Sequence, residues 1–212
     1  GSGCCGRCGM RRWILASASP RRKELLHQMG LEFDIIPATE EEKSRETIPE
    51  RYVTELARHK AQEVFRRVLA EQKERESAGT PIAVIGSDTI VVLGDRILGK
   101  PHDRGEAFEM IEALQGREHQ VMTAIALFWT DDAGKERQDS FCSITAVSVN
   151  AMEEEEIRRY LATGEADDKA GAYGIQGAFG MFVSEIHGSY HSVVGLPIAE
   201  LYQKIKQDGL RD

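Results

Sequence analysis

Ile14–Leu26 reads ILASASPRRKELL, a stretch that begins as a strand and continues as a helix. WILAS, from Trp13, is a short apolar run of buried-strand character. Ser19 then offers an N-cap oxygen, and Pro20 takes the first helical position, where a missing N–H costs nothing. Leu25, Leu26 and Met29 share one face of the helix, and Gly30 ends it. The same stretch places Arg21, Arg22 and Lys23 where the helix starts. Unpaired N–H groups already make that end positive, so each exposed cation there is disfavoured by about 0.3–1 kcal/mol. An anion seated among the cations would remove the conflict, and the arginine fork matches phosphate oxygens. The alternative is that Arg21 and Arg22 project into water or pair with nearby acids.

Outward from this unit, strands and helices alternate. LEFDIIP reads as a second strand and ATEEEKSRET as an acidic loop. A long helix follows over about 49–75, with Val53, Leu56, Ala57, Ala61, Val64, Phe65 and Val68 in one apolar stripe. IAVIGSDTIVVLGDRILGK contains a buried strand and a hairpin turning at Gly94-Asp95. A helix over about 103–114 stops at Gly116. HQVMTAIALFW and SFCSITAVSV are two long strands joined by TDDAGKER. EEEEIRRYLATG is a helix with acids in its first turn, and a glycine-rich loop, EADDKAGAYGIQGAFG, follows it. MFVSEI and HSVV suggest a closing hairpin, and a last helix starts near Pro197. Long antiparallel neighbours beside βα units predict an α/β fold with a mixed sheet.

The 212 residues suit one domain with a real core, with 41% hydrophobic and 29% charged residues. A formal net charge of −8 argues against a general nucleic-acid binder. No apolar run approaches membrane-spanning length and no apolar signal segment is visible, so the cytosol is the expected compartment. Residues 1–12 read as a flexible leader before a domain over 13–212. Cys5 and Cys8 form a C-x-x-C, with Cys4 adjacent, but in a glycine-rich context without the strand and helix that a redox pair needs. Cys142, in an apolar stretch, reads as a small core residue.

Several polar residues stand out against their surroundings. Asp88 interrupts an apolar strand, where an unpaired carboxylate would cost several kcal/mol. It must lie at a strand end in a cleft, or be paired or metal-bound, unless it merely forms a turn after Gly86. Lys60 falls inside the apolar helical stripe, so it either snorkels to the surface or faces a site. Lys100 precedes Pro101 beside a helix start, as a site cation or as a solvated lysine. Glu42 lies in the acidic loop. Gly171, Gly174 and Gly177 let a backbone approach a ligand closely, yet DKAGAYGIQG is neither a Walker A nor a dinucleotide fingerprint. The six histidines form no metal motif.

LASASPRRKELL, GSDTIVV, GKP, LQGREHQVMTAIAL, DKAGAYGIQG and GSYHSVVGLPI, in that order from about Ile14 to Leu201, together resemble the Maf family of nucleoside triphosphate pyrophosphatases. The resemblance implies an elongated, two-lobed α/β body with a central cleft, similar to inosine triphosphate pyrophosphatases and often dimeric. It implies Arg21, Arg22, Lys60 and Lys100 as substrate-binding residues and Asp88 as the proton acceptor. A divalent cation (Mg, Mn or Co) would be held by Asp88 and Glu42, with Glu40 and Glu41 as neighbouring choices for the second position. The four cations exceed the two carboxylates by a margin that a triphosphate carrying one divalent ion would neutralise. Family branches differ at positions matching Arg21, Thr89 and Gln176, and this combination resembles the branch acting on dTTP and UTP. Gln176 offers a donor and an acceptor to the O4 and N3–H edge of uracil or thymine. The rival readings are a 7-methyl-GTP pyrophosphatase and a non-enzymatic nucleotide-binding regulator of septum formation.

Overall fold

The structure, a computed structural model, describes residues 11–40, 43–75 and 79–210. The elements run β1 (Arg12–Leu15), α1 (Pro20–Gln28), β2 (Phe33–Ile35), α2 (Pro49–Glu74), β3 (Ile82–Leu93), β4 (Arg96–Leu98), α3 (Arg104–Leu114), β5 (Glu118–Thr130), β6 (Glu136–Val149) and α4 (Glu154–Leu161). After two short 3-10 turns come β7 (Val183–His187), α5 (Tyr190–Val194) and α6 (Ile198–Gln207). Cys4, Cys5, Cys8 and most of the leader lie outside the described residues. Arg12, assigned to that leader, is the first residue of β1 and pairs in register with Ile82.

The strands form one mixed sheet in the order β2-β1-β3-β5-β6-β7, with β4 also on β3. β1 is parallel to β2 and β3, and the other pairings are antiparallel. The mixed sheet expected from the long hairpin strands is therefore present. Its length comes from β3, β5 and β6, which are 12, 13 and 14 residues long.

Three buried clusters surround these strands. One packs the Val53–Val68 stripe of α2 on one face of the sheet. A second packs α1 and α6, through Leu25, Leu26, Leu201 and Ile205, on residues including Trp13, Leu15 and Ile85. The third gathers α3 and α4 around the far ends of the long strands, at Leu93, Val121 and Val149. The α3–α4 cluster at the far ends is thus separate from the α1–α6 cluster, while the α2 cluster runs along β3 from Ile82 to Val92. Cys142 is a half-buried neighbour of the α2 cluster, and burial pushes its thiol up to about 12, so it stays a neutral packing group.

One expectation fails. HSVV is not a strand but most of α5. Gly188 (φ +134°) turns the chain, and Ser189 caps the helix by accepting a hydrogen bond from the Ser192 N–H. The β-branched pair Val193-Val194 has strand propensity, but the cap and the turn prevail over it. β7 pairs with β6 instead. Among the described residues, no helix is long and apolar enough to cross a membrane.

Candidate active site

A gap in the sheet builds the site. β1 follows one edge of β3 only as far as Ile85, and β4 takes that edge from Val91. β5 covers the whole opposite edge. Gly86–Ile90 therefore lack a strand neighbour on one side, and a cleft of about 880 Å³ opens there. That volume lies within the usual range for small-molecule sites, roughly 300–1,000 Å³. Arg21, Arg22, Lys60, Asp88, Thr89, Lys100 and Gln176 all line it. Glu42, the expected second carboxylate, lies outside the described residues, as does Glu41.

Asp88 sits in the middle of β3 and not at a strand end. The missing strand neighbour makes a carboxylate tolerable there. Its Oδ1 accepts from the Thr89 N–H at 2.8 Å, and its Oδ2 lies 3.4 Å from Lys60 Nζ. Both side chains remain about one-fifth to one-quarter exposed, at 20% and 25%. The pair exists because α2 lies unusually close to β3. A Cβ on Gly86 would stand 2.6 Å from the Ala57 carbonyl oxygen and 2.7 Å from Ala61 Cβ. Glycine at 86 lets the helix settle there, and Lys60 lies between those two contacts.

Ser19 and Pro20 begin α1 as expected, with the Ser19 side chain accepting from the Arg22 N–H at 3.3 Å. This end of the helix faces the cleft, so cations and N–H groups converge on one anion-sized region. Lys23 is exposed and takes no part. Arg22 is anchored internally: Nε donates to the Gly195 carbonyl at 2.8 Å and Nη2 to Thr89 Oγ1 at 2.9 Å. Burial lowers its pKa from the usual arginine value. Asp88 works against that shift and Arg21 adds to it.

The glycine-rich loop forms the opposite wall. Gly171 (φ +68°) leaves room for Val91, whose side chain a Cβ would meet at 2.7 Å, and its N–H donates to the Gly99 carbonyl. Ala172 follows at φ +65°, a conformation that costs a non-glycine residue about 1–2 kcal/mol. Tyr173 anchors the loop through a 2.6 Å bond to buried His119, whose pKa burial depresses to about 4. Gln176 is exposed at the rim.

Lys169 was missed in the sequence. It lines the cleft, is 18% exposed and reaches Asp168 Oδ1 at 2.7 Å. It stands at the head of DKAG, so a lysine leading a glycine-rich loop was the available signal. Among the described residues, no group of three or more His, Cys, Asp or Glu side chains is placed to hold a metal ion. Asp88 fits a hard divalent cation of the kind that takes one or two carboxylates and completes its shell with substrate phosphates and water.

The arrangement is Asp88, ion-paired to Lys60, in an N–H-rich cleft that also carries Glu24, Glu165 and Asp168 among the cations Arg21, Arg22, Lys100 and Lys169. A curated protein of Agathobacter rectalis named dTTP/UTP pyrophosphatase is 46% identical over 203 residues, covering 95% of this chain and 99% of that one. A Salmonella typhimurium protein of the same name is 43% identical over 205 residues, with 96% of each chain covered. A solved Mycobacterium abscessus nucleoside-triphosphatase (dITP/XTP pyrophosphatase) aligns over 66% of this chain and 75% of its own. That alignment has 13% identity and a TM-score of 0.32, and nothing rests on it. The family described as Maf-like protein matches residues 12–208. Nearly the whole folded chain is covered by that match and by relatives 43% and 46% identical, and the chain belongs to the Maf family.

Proposed function

We propose that this chain hydrolyses nucleoside triphosphates, dTTP and UTP by preference, to the nucleoside monophosphate and pyrophosphate. The observation that carries the reading is Asp88, a carboxylate on the unpaired edge of β3, ion-paired to Lys60 and sharing one cleft with Arg21, Arg22, Lys100 and Lys169. Binding alone would not need a carboxylate facing phosphates, where it repels them. The names carried by the similar curated proteins support the same reading.

In this mechanism Asp88 accepts a proton from a water molecule as that water attacks the α-phosphorus. The bond to the bridging oxygen breaks, and pyrophosphate leaves with the bonding electrons. Arg22, Lys100 and Lys169 neutralise the charge that develops on it. Lys60 orients Asp88 through their ion pair. Asp88, with Glu42 as the second carboxylate that the family resemblance assigns, would hold a divalent cation, which when bound polarises phosphate oxygens. At the rim, Gln176 pairs with the pyrimidine edge, Arg21 flanks the phosphates, and the small side chain of Thr89 leaves the pocket open. In this reading the enzyme works in the cytosol, where its substrates are kept. The homodimer implied by the family is to be checked by sedimentation.

The test is a panel of dTTP, UTP, CTP, GTP and 7-methyl-GTP with Mg, Mn or Co, with pyrophosphate and orthophosphate detected separately. We expect pyrophosphate, and kcat/KM highest for dTTP and UTP. In Gln176→Ala, that preference should shrink by about 10-fold, the value of a lost base-reading hydrogen bond. Orthophosphate as the first product, or no turnover at all, overturns the reaction. A preference for 7-methyl-GTP overturns the substrate choice alone.

A further inference from the structure

Arg22 is held at two points, and both holds lead to α5 and the glycine that follows it. One is direct, from Nε to the Gly195 carbonyl. The other runs through hydroxyls. Nη2 lies 2.9 Å from Thr89 Oγ1. Thr89 faces Thr123 across the β3–β5 ladder, with the two hydroxyl oxygens 2.9 Å apart. Thr123 Oγ1 lies 2.8 Å from the Ser192 carbonyl in α5.

Proton counting gives this chain a direction. A threonine hydroxyl has one proton, a carbonyl only accepts, and a guanidinium only donates. The Thr123 proton therefore goes to Ser192, and the Thr89 proton must go to Thr123. A Thr89 lone pair receives Arg22. The order is Arg22 to Thr89 to Thr123 to the Ser192 carbonyl, with each bond polarising the next. Thr89 thus has no proton left for a base carbonyl. Thr123 is 0% exposed and does not line the cleft, so it touches no substrate.

We propose that Thr89 and Thr123 are positioning residues that aim Arg22 at the polyphosphate, and that the Thr89 hydroxyl does not read the base. The proposal rests on the triphosphate-hydrolase reading above. It gives the stretch HSVVG a task, since its backbone fixes the arginine through Ser192 and Gly195. Arg22 Nη1 has no protein partner among the described residues and is the nitrogen left for a phosphate oxygen.

The test compares Thr123→Val with Thr123→Ser, each in the wild-type and Arg22→Ala backgrounds. Two quantities are read: kcat/KM on dTTP, UTP and CTP, and affinity for inorganic triphosphate by calorimetry. Thr123→Val should lower both by about 10-fold, equally for every base, because the Thr89 hydroxyl loses the acceptor that turns its lone pair toward Arg22. Thr123→Ser should stay within about two-fold of wild type, and in Arg22→Ala the valine should change neither quantity by more than that. A changed base ranking, an equal loss in both backgrounds, or no loss overturns the proposal. If Thr123→Val does not fold, Thr89→Val against Thr89→Ser gives the same comparison. A wild type that binds inorganic triphosphate without releasing pyrophosphate sinks the hydrolase reading, and the affinity arm still decides the relay. A wild type that binds no triphosphate sinks both.

Discussion

Replacing Gly86 with alanine tests whether helix position controls the chemistry. The added Cβ would stand 2.6 Å from the Ala57 carbonyl, 2.7 Å from Ala61 Cβ and 2.9 Å from Ala61 N. These are backbone atoms and a methyl, none of which can swing aside. Restoring ordinary contact needs α2 to recede by about 0.8 Å, a strain typical of overpacked cores that costs about 2 kcal/mol. The loss of glycine's extra unfolded-state freedom returns only about 0.5 kcal/mol. For a domain of this size the melting temperature should fall by about 3–6 °C. The same recession carries Lys60 away from Asp88, from 3.4 Å to beyond ion-pair distance. Turnover should then drop by about 10-fold or more, since misplacement by about 1 Å can cost up to about 100-fold. Thermal melts and pyrophosphate release measure the two effects. Gly99→Ala is the stability control, because a Cβ there meets nothing within 4 Å. A Gly86→Ala protein with both wild-type stability and wild-type kcat would refute the argument that this glycine sets the Lys60–Asp88 geometry.

Asp88→Asn keeps the shape and removes the proton acceptor, so kcat should fall by about 100- to 10,000-fold with folding intact; wild-type turnover would remove Asp88 from the mechanism. Asp208 caps α6, and burial, then neighbouring Asp139, raises its carboxyl to about 6 against the pull of Lys204. The folded state therefore holds this proton more tightly than the unfolded chain, and the stability it contributes is lost as pH rises from about 4 through about 6. Asp208→Asn should raise stability by about 1 kcal/mol at pH 7.5 after solvent screening, and by little at pH 4.5. Melts that show the same gain at both pH values would contradict this.

Local signals in the sequence carried most of the secondary structure. Ser19-Pro20, the α2 stripe and the Gly94 turn each depend on neighbours a few residues apart, and each holds in the structure. Asp88 was visible because a charge in an apolar run is costly. Its mid-strand position was not, because that depends on where β1 ends and β4 begins, two strands far apart in the chain. The error at HSVV has the same origin in reverse. Strand propensity was read from two valines, and a serine cap with a left-handed glycine decided otherwise. The internal anchoring of Arg22 by Thr89 and Gly195 requires partners 67 and 173 residues away along the chain, which no local pattern encodes.

The gap beside β3 also governs motion. Asp88 rides on a strand whose other edge is bonded to β5 from Ala83 to Val92, so it moves only if the sheet opens. Residues 165–177 have no such ladder; short turns, the Gly171 N–H to the Gly99 carbonyl, the Ala178 N–H to Glu165 and the His119–Tyr173 bond hold them. Local opening free energies should follow that division, with slow amide exchange along the middle of β3 and fast exchange in the glycine-rich wall. Substrate entry and pyrophosphate exit would then be timed by the wall, while the proton acceptor keeps a fixed address.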